Sequence, residues 1–169
     1  MRCLRAIALA GGTLASSACD RGPAPPADVG TVIDVIDGDT VDIEIAGQEQ
    51  RVRLLGIDTP EVFLADGAPP ECFGPESSAF TAELLTDGAR VRLERDVVGR
   101  DDYGRLLAYV YVLDDGAVTG GSMVNEAIVR QGYARPLIIA PNGAYATRFV
   151  AAATAAEAEG LGLWGGCGG

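Results

Sequence analysis

Apolar and polar residues alternate in five short stretches of the chain, and this period of two predicts five β-strands. The clearest stretch places Val41, Ile43 and Ile45 on one face, with polar residues between them. The pairs Asp37-Gly38 and Ala46-Gly47 are typical of tight turns, so they predict a hairpin on either side of this strand. The five predicted strands span residues 31–36, 40–46, 50–57, 89–95 and 105–113.

Three other stretches have the features of helices. Gly74-Pro75 opens the first, because proline suits the first helical position, and Glu76 follows in the first turn. Phe80 and Leu84 lie one helical turn apart, and Gly88 ends the helix. The three predicted helices span about 74–88, 122–131 and 143–159.

The order of these elements predicts an α+β fold. Five short strands with a helix between the third and the fourth fit a five-stranded OB-type β-barrel with three packed helices. Periodicity alone is equally compatible with another α+β arrangement. The chain of 169 residues is long enough for one domain with a full core, which we assign to residues 29–169.

The first 28 residues have the layout of a targeting segment and a tether. Arg2 and Arg5 precede an apolar stretch, as in a secretory signal peptide over 1–18. The residues before Cys19 resemble a bacterial lipoprotein cleavage site, which predicts lipidation of Cys19, although Ser16 stands where leucine is usual. Residues 19–28 form a proline-rich tether. We therefore expect an exported protein, either a monomeric cell-envelope lipoprotein or a secreted one; a disordered alanine-rich tail is the alternative.

Cysteine usage is consistent with export. Cys3 lies in the predicted signal peptide and Cys19 at its cleavage site, which leaves Cys72 and Cys167. Their spacing matches no zinc motif, and in an oxidising compartment the two would form a disulfide. Two unrelated thiols remain the alternative.

Composition restricts the chemistry that the chain can perform. It contains no histidine, all of its 13 basic residues are arginine, and its formal net charge is −11. Mechanisms that use an imidazole base or a lysine nucleophile are therefore excluded. The excess of acidic over basic residues argues against a protein that coats nucleic acid. It is compatible with an enzyme that has a local positive site and a bound metal.

Three segments carry the candidate chemistry, and each has a purely structural alternative. Asp39 shares the parity of Val41 and would face the barrel interior at its rim, although its segment also suits a simple turn. Arg53 leads to Asp58 and Glu61, where Asp58 could merely cap a helical turn. Arg105 follows a glycine at a strand start, where it could be a solvated edge residue.

Taken together, the three segments fit phosphodiester hydrolysis without histidine. A divalent cation held by carboxylates polarises a phosphoryl oxygen, and a further carboxylate orients or deprotonates the attacking water. Two guanidinium groups neutralise the charge that develops on the phosphorus centre.

At these positions the chain resembles the staphylococcal nuclease (thermonuclease) family, over about residues 31–164. Several motifs in the same order carry the resemblance: Asp37-Gly38-Asp39-Thr40, Arg53-Leu54-Leu55, Asp58-Thr59-Pro60-Glu61, Phe73-Gly74-Pro75-Glu76, Tyr103-Gly104-Arg105 and the segment 124–132. The resemblance implies an OB-type barrel and an endonuclease that cuts DNA or RNA to leave 3′-phosphates. A catalytically inactive lipoprotein that binds nucleic acid or protein is the alternative function.

The resemblance also implies a role for each site residue. Asp39 and Asp58 would bind Ca²⁺ through their side chains, and Thr59 through its backbone carbonyl. Glu61 would act as the general base or orient the water. The remaining roles are phosphate stabilisation and substrate contact, by Arg53, Arg105 and Tyr103. The loop 62–71 has no basic residue and Asp102 stands where lysine often precedes the tyrosine, so we expect weaker substrate binding than in basic relatives.

Overall fold

A computed structural model describes residues 28–64 and 67–167. The first three strands, β1 (Val29–Asp37), β2 (Thr40–Ile45) and β3 (Gln48–Leu54), form an antiparallel meander. β5 (Arg90–Glu94) pairs with β1, and β6 (Leu106–Val112) pairs with β5. β6 also pairs in parallel with β3, which closes a five-stranded barrel. The predicted α+β fold with an OB-type barrel is therefore confirmed.

The predicted third strand, 50–57, is interrupted. β3 ends at Leu54, and Ile57–Asp58 form a separate short strand, β4, that pairs with β8 (Arg135–Pro136). Gly56 causes the break, because its φ of +78° is left-handed and a side chain there would collide with the Phe149 ring. This turn carries Asp58 away from the barrel wall.

Within the described residues, four helices accompany the barrel, and their bounds differ from the prediction. α1 (Gly74–Leu84) ends before Gly88, and α3 (Ala146–Ala158) begins three residues later than predicted. The start of the predicted 122–131 helix is instead strand β7 (Ser122–Met123), and α2 is limited to Val124–Arg130. A short helix near the C-terminus, α4 (Leu163–Gly166), was not predicted.

The side-chain amide of Asn125 connects α2 to the barrel. Asn125 is fully buried, and its Nδ2 donates to the carbonyl of Leu55 at 2.9 Å, directly after β3. Its Oδ1 accepts from the N–H of Val110 in β6 at 2.9 Å. Through these bonds, α2 ties the end of β3 to β6.

The predicted disulfide is present. Cys72 and Cys167 are bonded, with their Cα atoms 5.9 Å apart, and the bond joins the residues before α1 to the end of α4. The predicted signal peptide, most of the tether and Cys19 lie outside the described residues. Among the described helices, none combines the length and the apolar character needed to cross a bilayer.

Candidate active site

The turn between β1 and β2 places Asp39 at the barrel rim, as its parity with Val41 predicted. Only 6 % of Asp39 is exposed, and its Oδ2 accepts from the backbone N–H of Thr59 at 3.0 Å. Thr81, buried in α1, donates to the carbonyl of Gly38 at 2.7 Å. Gly38 leaves no room for a side chain against Thr59, so the turn is packed tightly against the segment after β4.

Arg53 joins the two predicted metal-binding carboxylates. Its Nη1 lies 2.7 Å from Oδ2 of Asp39, and its Nη2 lies 3.0 Å from Oδ1 of Asp58. Nη1 also donates to the carbonyl of Ile57 at 3.0 Å. Because β3 and β4 are separated by the turn at Gly56, the guanidinium spans the gap between the end of the barrel and the strand that carries Asp58. We call Asp39, Arg53 and Asp58 the rim cluster.

The rim cluster carries an excess of negative charge. Burial raises the pKa of Asp39 to about 7, even though Arg53 and the Thr59 N–H favour its ionised form. The neighbouring charges of Asp37 and Asp58 contribute to this rise in the pKa. A cation at this position would therefore relieve both the repulsion and the cost of burying the carboxylate.

Glu61 lies at the base of a loop beside the rim cluster. Partial burial raises its pKa, and the charges of Asp37 and Asp58 act in the same direction, while Arg53 opposes them. Its backbone N–H donates to Oε2 of Glu71 at 3.0 Å. The charges of Asp58 and Arg53, two residues that were predicted to act with Glu61, therefore affect its pKa.

Arg105 approaches from a different part of the chain. Its Nε lies 2.7 Å from Oδ2 of Asp101, and the backbone N–H groups of Arg105 and Tyr103 donate to Oδ1 at 2.9 and 3.1 Å. Although burial acts to raise the pKa of Asp101, these bonds from Arg105 and Tyr103 lower it overall. The Tyr103 ring is 86 % exposed, and its centroid lies 5.5 Å from the Arg105 guanidinium carbon. We call Asp101, Tyr103 and Arg105 the arm.

A cavity of about 460 Å³ lies between the rim cluster and the arm. Arg53 and Arg105 both line it, together with Tyr103. Its other wall is largely apolar and comes from the segment after β8, through Leu137, Ile139, Ala140 and Pro141. The predicted phosphate-binding residues therefore share one cavity, whereas Asp39, Asp58, Thr59 and Glu61 do not line it.

Sequence reasoning missed two contributors to this geometry. Asp101 fixes Arg105 from within a turn, and an aspartate that opens a turn ending in glycine was a signal that could have indicated this contact. Glu71 binds the backbone of Glu61 across ten residues of loop, and no local pattern indicated this contact.

Known proteins have sequences similar to this chain. Residues 51–166 match the family described as staphylococcal nuclease homologue. Over 130 residues the chain is 40 % identical to a thermonuclease of Staphylococcus intermedius, covering 77 % of this chain and 72 % of that protein. The chain belongs to the staphylococcal nuclease family.

Further relatives extend this family assignment. A thermonuclease of Staphylococcus hyicus is 38 % identical over 133 residues, which cover 79 % of this chain and 73 % of that protein. An endonuclease of Bacillus subtilis strain 168, YncB, is 36 % identical over 134 residues, covering 76 % of this chain and 58 % of that protein.

The donor atoms of this staphylococcal nuclease homologue suit a hard cation. Among the described residues there is no cluster of three or more His, Cys, Asp or Glu side chains that could hold a metal. The carboxylates of Asp39 and Asp58, together with the backbone carbonyl of Thr59, form a smaller set of oxygen donors. This set fits calcium, which accepts oxygen ligands, including water, in flexible geometry. Oδ1 of Asp39 has only a long bond from Thr40, at 3.3 Å, and Oδ2 of Asp58 has no partner within the described chain, so each aspartate has an oxygen available.

Proposed function

We propose that the chain is a calcium-dependent endonuclease that hydrolyses phosphodiester bonds in DNA or RNA and leaves 3′-phosphates. Family membership and the endonuclease relatives support a nuclease, that is, a phosphodiester hydrolase. The observation that carries the proposal is the pair of arginines on one cavity, with Arg53 joined to two aspartates at its edge. Such a cavity can accept a phosphate beside a cation.

The metal ligands in this proposal are Asp39, Asp58 and the carbonyl of Thr59. When bound there, Ca²⁺ would polarise a phosphoryl oxygen and lower the pKa of a bound water. Asp39 suits this role because it is held by Arg53 and by the Thr59 N–H, and neighbouring carboxylates add to the negative charge around it.

Glu61 and the two arginines carry out the remaining steps. Glu61 accepts a proton from the attacking water or orients that water, a task for which a carboxylate of raised pKa is suited. Arg53 and Arg105 donate to the phosphoryl oxygens as negative charge develops on them. Arg105 is held through Nε. Its two terminal nitrogens form no hydrogen bond with the described residues, so they are available to bind a phosphate.

Substrate binding depends on local rather than overall charge. Tyr103 is highly exposed beside Arg105 and would contact a substrate phosphate through its hydroxyl. The net charge of −11 repels a polyanion, so we expect affinity for DNA to be weaker and more dependent on Ca²⁺ than in basic relatives.

We propose the same cellular setting that the sequence predicts, an exported monomer attached to a membrane through lipidated Cys19 or secreted. The disulfide supports an oxidising compartment. Mass spectrometry of protein expressed with its native N-terminus tests the lipid. Removal of residues 1–18 with a diacylglyceryl group on Cys19 is expected, and an unmodified cysteine would contradict the anchor.

Purified protein incubated with linear DNA or single-stranded RNA, in Ca²⁺ or in EDTA, tests the activity. Cleavage is expected only with Ca²⁺, with 3′-phosphates on the products, and calorimetry should detect Ca²⁺ binding without substrate. Glu61→Gln is the matched control, and its kcat should fall by about 10²–10⁴ while Ca²⁺ still binds. Full activity in EDTA would contradict calcium dependence, and binding without cleavage would favour the inactive alternative.

A further inference from the structure

We propose that Glu71 is a positioning residue for Glu61, and that the Cys72–Cys167 disulfide holds the segment from which Glu71 acts. This inference rests on the proposed function, in which Glu61 is the general base. The inference gives Glu71 a supporting role without contact to the substrate. It gives the disulfide the role of holding Glu71 in place.

Two hydrogen bonds fasten Glu61 to Glu71. The N–H of Glu61 donates to the carboxylate Oε2 of Glu71 at 3.0 Å, and the N–H of Glu71 donates to the carbonyl of Glu61 at 2.9 Å. Together they close the base of the 61–71 loop. The Glu61 side chain forms no hydrogen bond within the described residues, so the direction of its carboxylate depends on how its backbone is held.

The residues that follow Glu71 press against Glu61 from the other side. The N–H of Gly74 donates to the carbonyl of Glu71 at 2.9 Å, which forms a tight turn before α1. A Cβ at Gly74 would lie 2.6 Å from the carbonyl oxygen of Glu61, so only glycine permits this approach. The ring of Phe73 packs on Tyr133, with centroids 5.3 Å apart. The 71–74 segment is thus a fixed support under Glu61.

The disulfide connects this support to the C-terminal part of the core. Cys72 lies in the middle of the segment, and Cys167 directly follows α4. α4 is itself anchored, because Leu163 is buried and its N–H donates to the carbonyl of Gly132 at 2.9 Å. Without the disulfide, the stretch before Gly74 would keep its hydrogen bonds and the packing of Phe73 on Tyr133, but it would lose its covalent link to the end of α4.

Positioning matters because the proton transfer depends strongly on distance. A displacement of about 1 Å in a catalytic group can lower a rate by about 100-fold. Glu71→Ala removes the acceptor for the Glu61 N–H but leaves every proposed metal ligand and phosphate contact in place. Glu71→Gln keeps an acceptor oxygen but removes the charge, and it replaces the second oxygen with an NH2 group.

The experiment compares kcat and KM for wild type, Glu71→Ala and Glu71→Gln in saturating Ca²⁺. Glu71→Ala should lower kcat by about tenfold with KM within about twofold, because orientation and not binding is lost. Glu71→Gln should recover most of the loss. Glu83→Ala is the control, since Glu83 is exposed in α1 and forms no hydrogen bond or ion pair within the described chain.

Hydrogen exchange gives a readout that is independent of activity. The Glu61 amide should exchange faster in Glu71→Ala, keep its wild-type protection in Glu71→Gln, and be unaffected in Glu83→Ala. Wild-type kcat in Glu71→Ala would overturn the proposal, and so would a loss that Gln does not restore, because the carboxylate charge would then be the essential feature.

The role of the disulfide is tested with a double variant that carries Cys72→Ser and Cys167→Ser. This variant is assayed well below its own melting temperature, so that it stays folded. We expect kcat to fall by about threefold or more, with KM little changed and with faster exchange at Glu61. Unchanged kcat and exchange would overturn the part assigned to the disulfide. A wild-type protein that does not cleave nucleic acid in Ca²⁺ would instead refute the proposed function, so the two failures are distinguishable.

Discussion

The two arginines of the site are held in different ways. In the rim cluster, Arg53 binds two carboxylates and two backbone carbonyls, and 16 % of its side chain is exposed. In the arm, Arg105 binds one carboxylate through Nε, and 31 % of its side chain is exposed. Arg53 is therefore built into the fold as well as the site, whereas Arg105 is presented to the cavity. Their substitutions should separate stability from catalysis.

Of the two arginine substitutions, Arg105→Ala should have the larger effect on the reaction. Its terminal nitrogens act where the transition state gains charge, so we expect kcat to fall by about 10³. Unfolding in urea should change by less than about 1 kcal/mol, because the ion pair with Asp101 is partly exposed. A stable variant with near wild-type kcat would show that the arm does not stabilise the transition state.

Arg53→Ala should have the largest effect on the fold. Loss of its guanidinium leaves Asp39 buried without a counter-charge, and we expect the free energy of unfolding to fall by about 3 kcal/mol. We take the low end of the loss of stability that is typical when a buried ion pair is broken, because Asp39 can bind a proton and so avoid a buried, unpaired charge. Parallel urea titrations of the two arginine variants measure the contrast, and equal stability would contradict it.

Asp39→Ala should weaken Ca²⁺ binding by about 100-fold or more, because Asp39 is a proposed ligand and even the loss of a residue that supports a ligand costs about 10–100-fold. Excess Ca²⁺ should then restore part of the activity, which can be followed by titrating Ca²⁺ in the cleavage assay. Glu61→Gln should show no such recovery. If both variants recovered equally, Glu61 would be chiefly a metal ligand and its role as a base would be wrong.

Asp101→Ala should have the smallest effect, lowering kcat by about tenfold, because Arg105 remains present but loses its orientation. The pKa of Asp101 is lowered in the folded state, so its contribution to stability is present above the unfolded pKa of about 4. It is lost as the pH falls through the folded-state pKa. The difference in unfolding free energy between wild type and variant should therefore shrink below about pH 4.

Local patterns predicted the parts of the molecule that depend on neighbouring residues. The parity of Asp39 with Val41 predicted that its side chain faces inward at the rim; Asp39 is buried there, although Asp42, of the same parity as Thr40, is equally buried. The five barrel strands and three main helices followed from periodicity, and the barrel arrangement came from the family resemblance. Arg53 and Arg105 were assigned to one phosphate, and they line one cavity.

Contacts between distant residues could not be predicted in this way. The left-handed turn at Gly56 depends on Phe149, almost a hundred residues later, whose ring leaves no room for a side chain at position 56. The bond between Glu61 and Glu71 depends on how a loop closes. In both cases the tertiary environment, and not local propensity, determines the backbone.

The disulfide also determines what a single cut in the chain would do. Residues 114–116 and 118–121 form an exposed loop between β6 and β7, inside the 95-residue span that Cys72 and Cys167 enclose. A protease that cleaves this loop would produce two fragments that stay covalently joined, with α2 and α3 still attached to the barrel. Nicked protein would migrate as one species on a gel until a reductant is added, and it would retain every residue of the site.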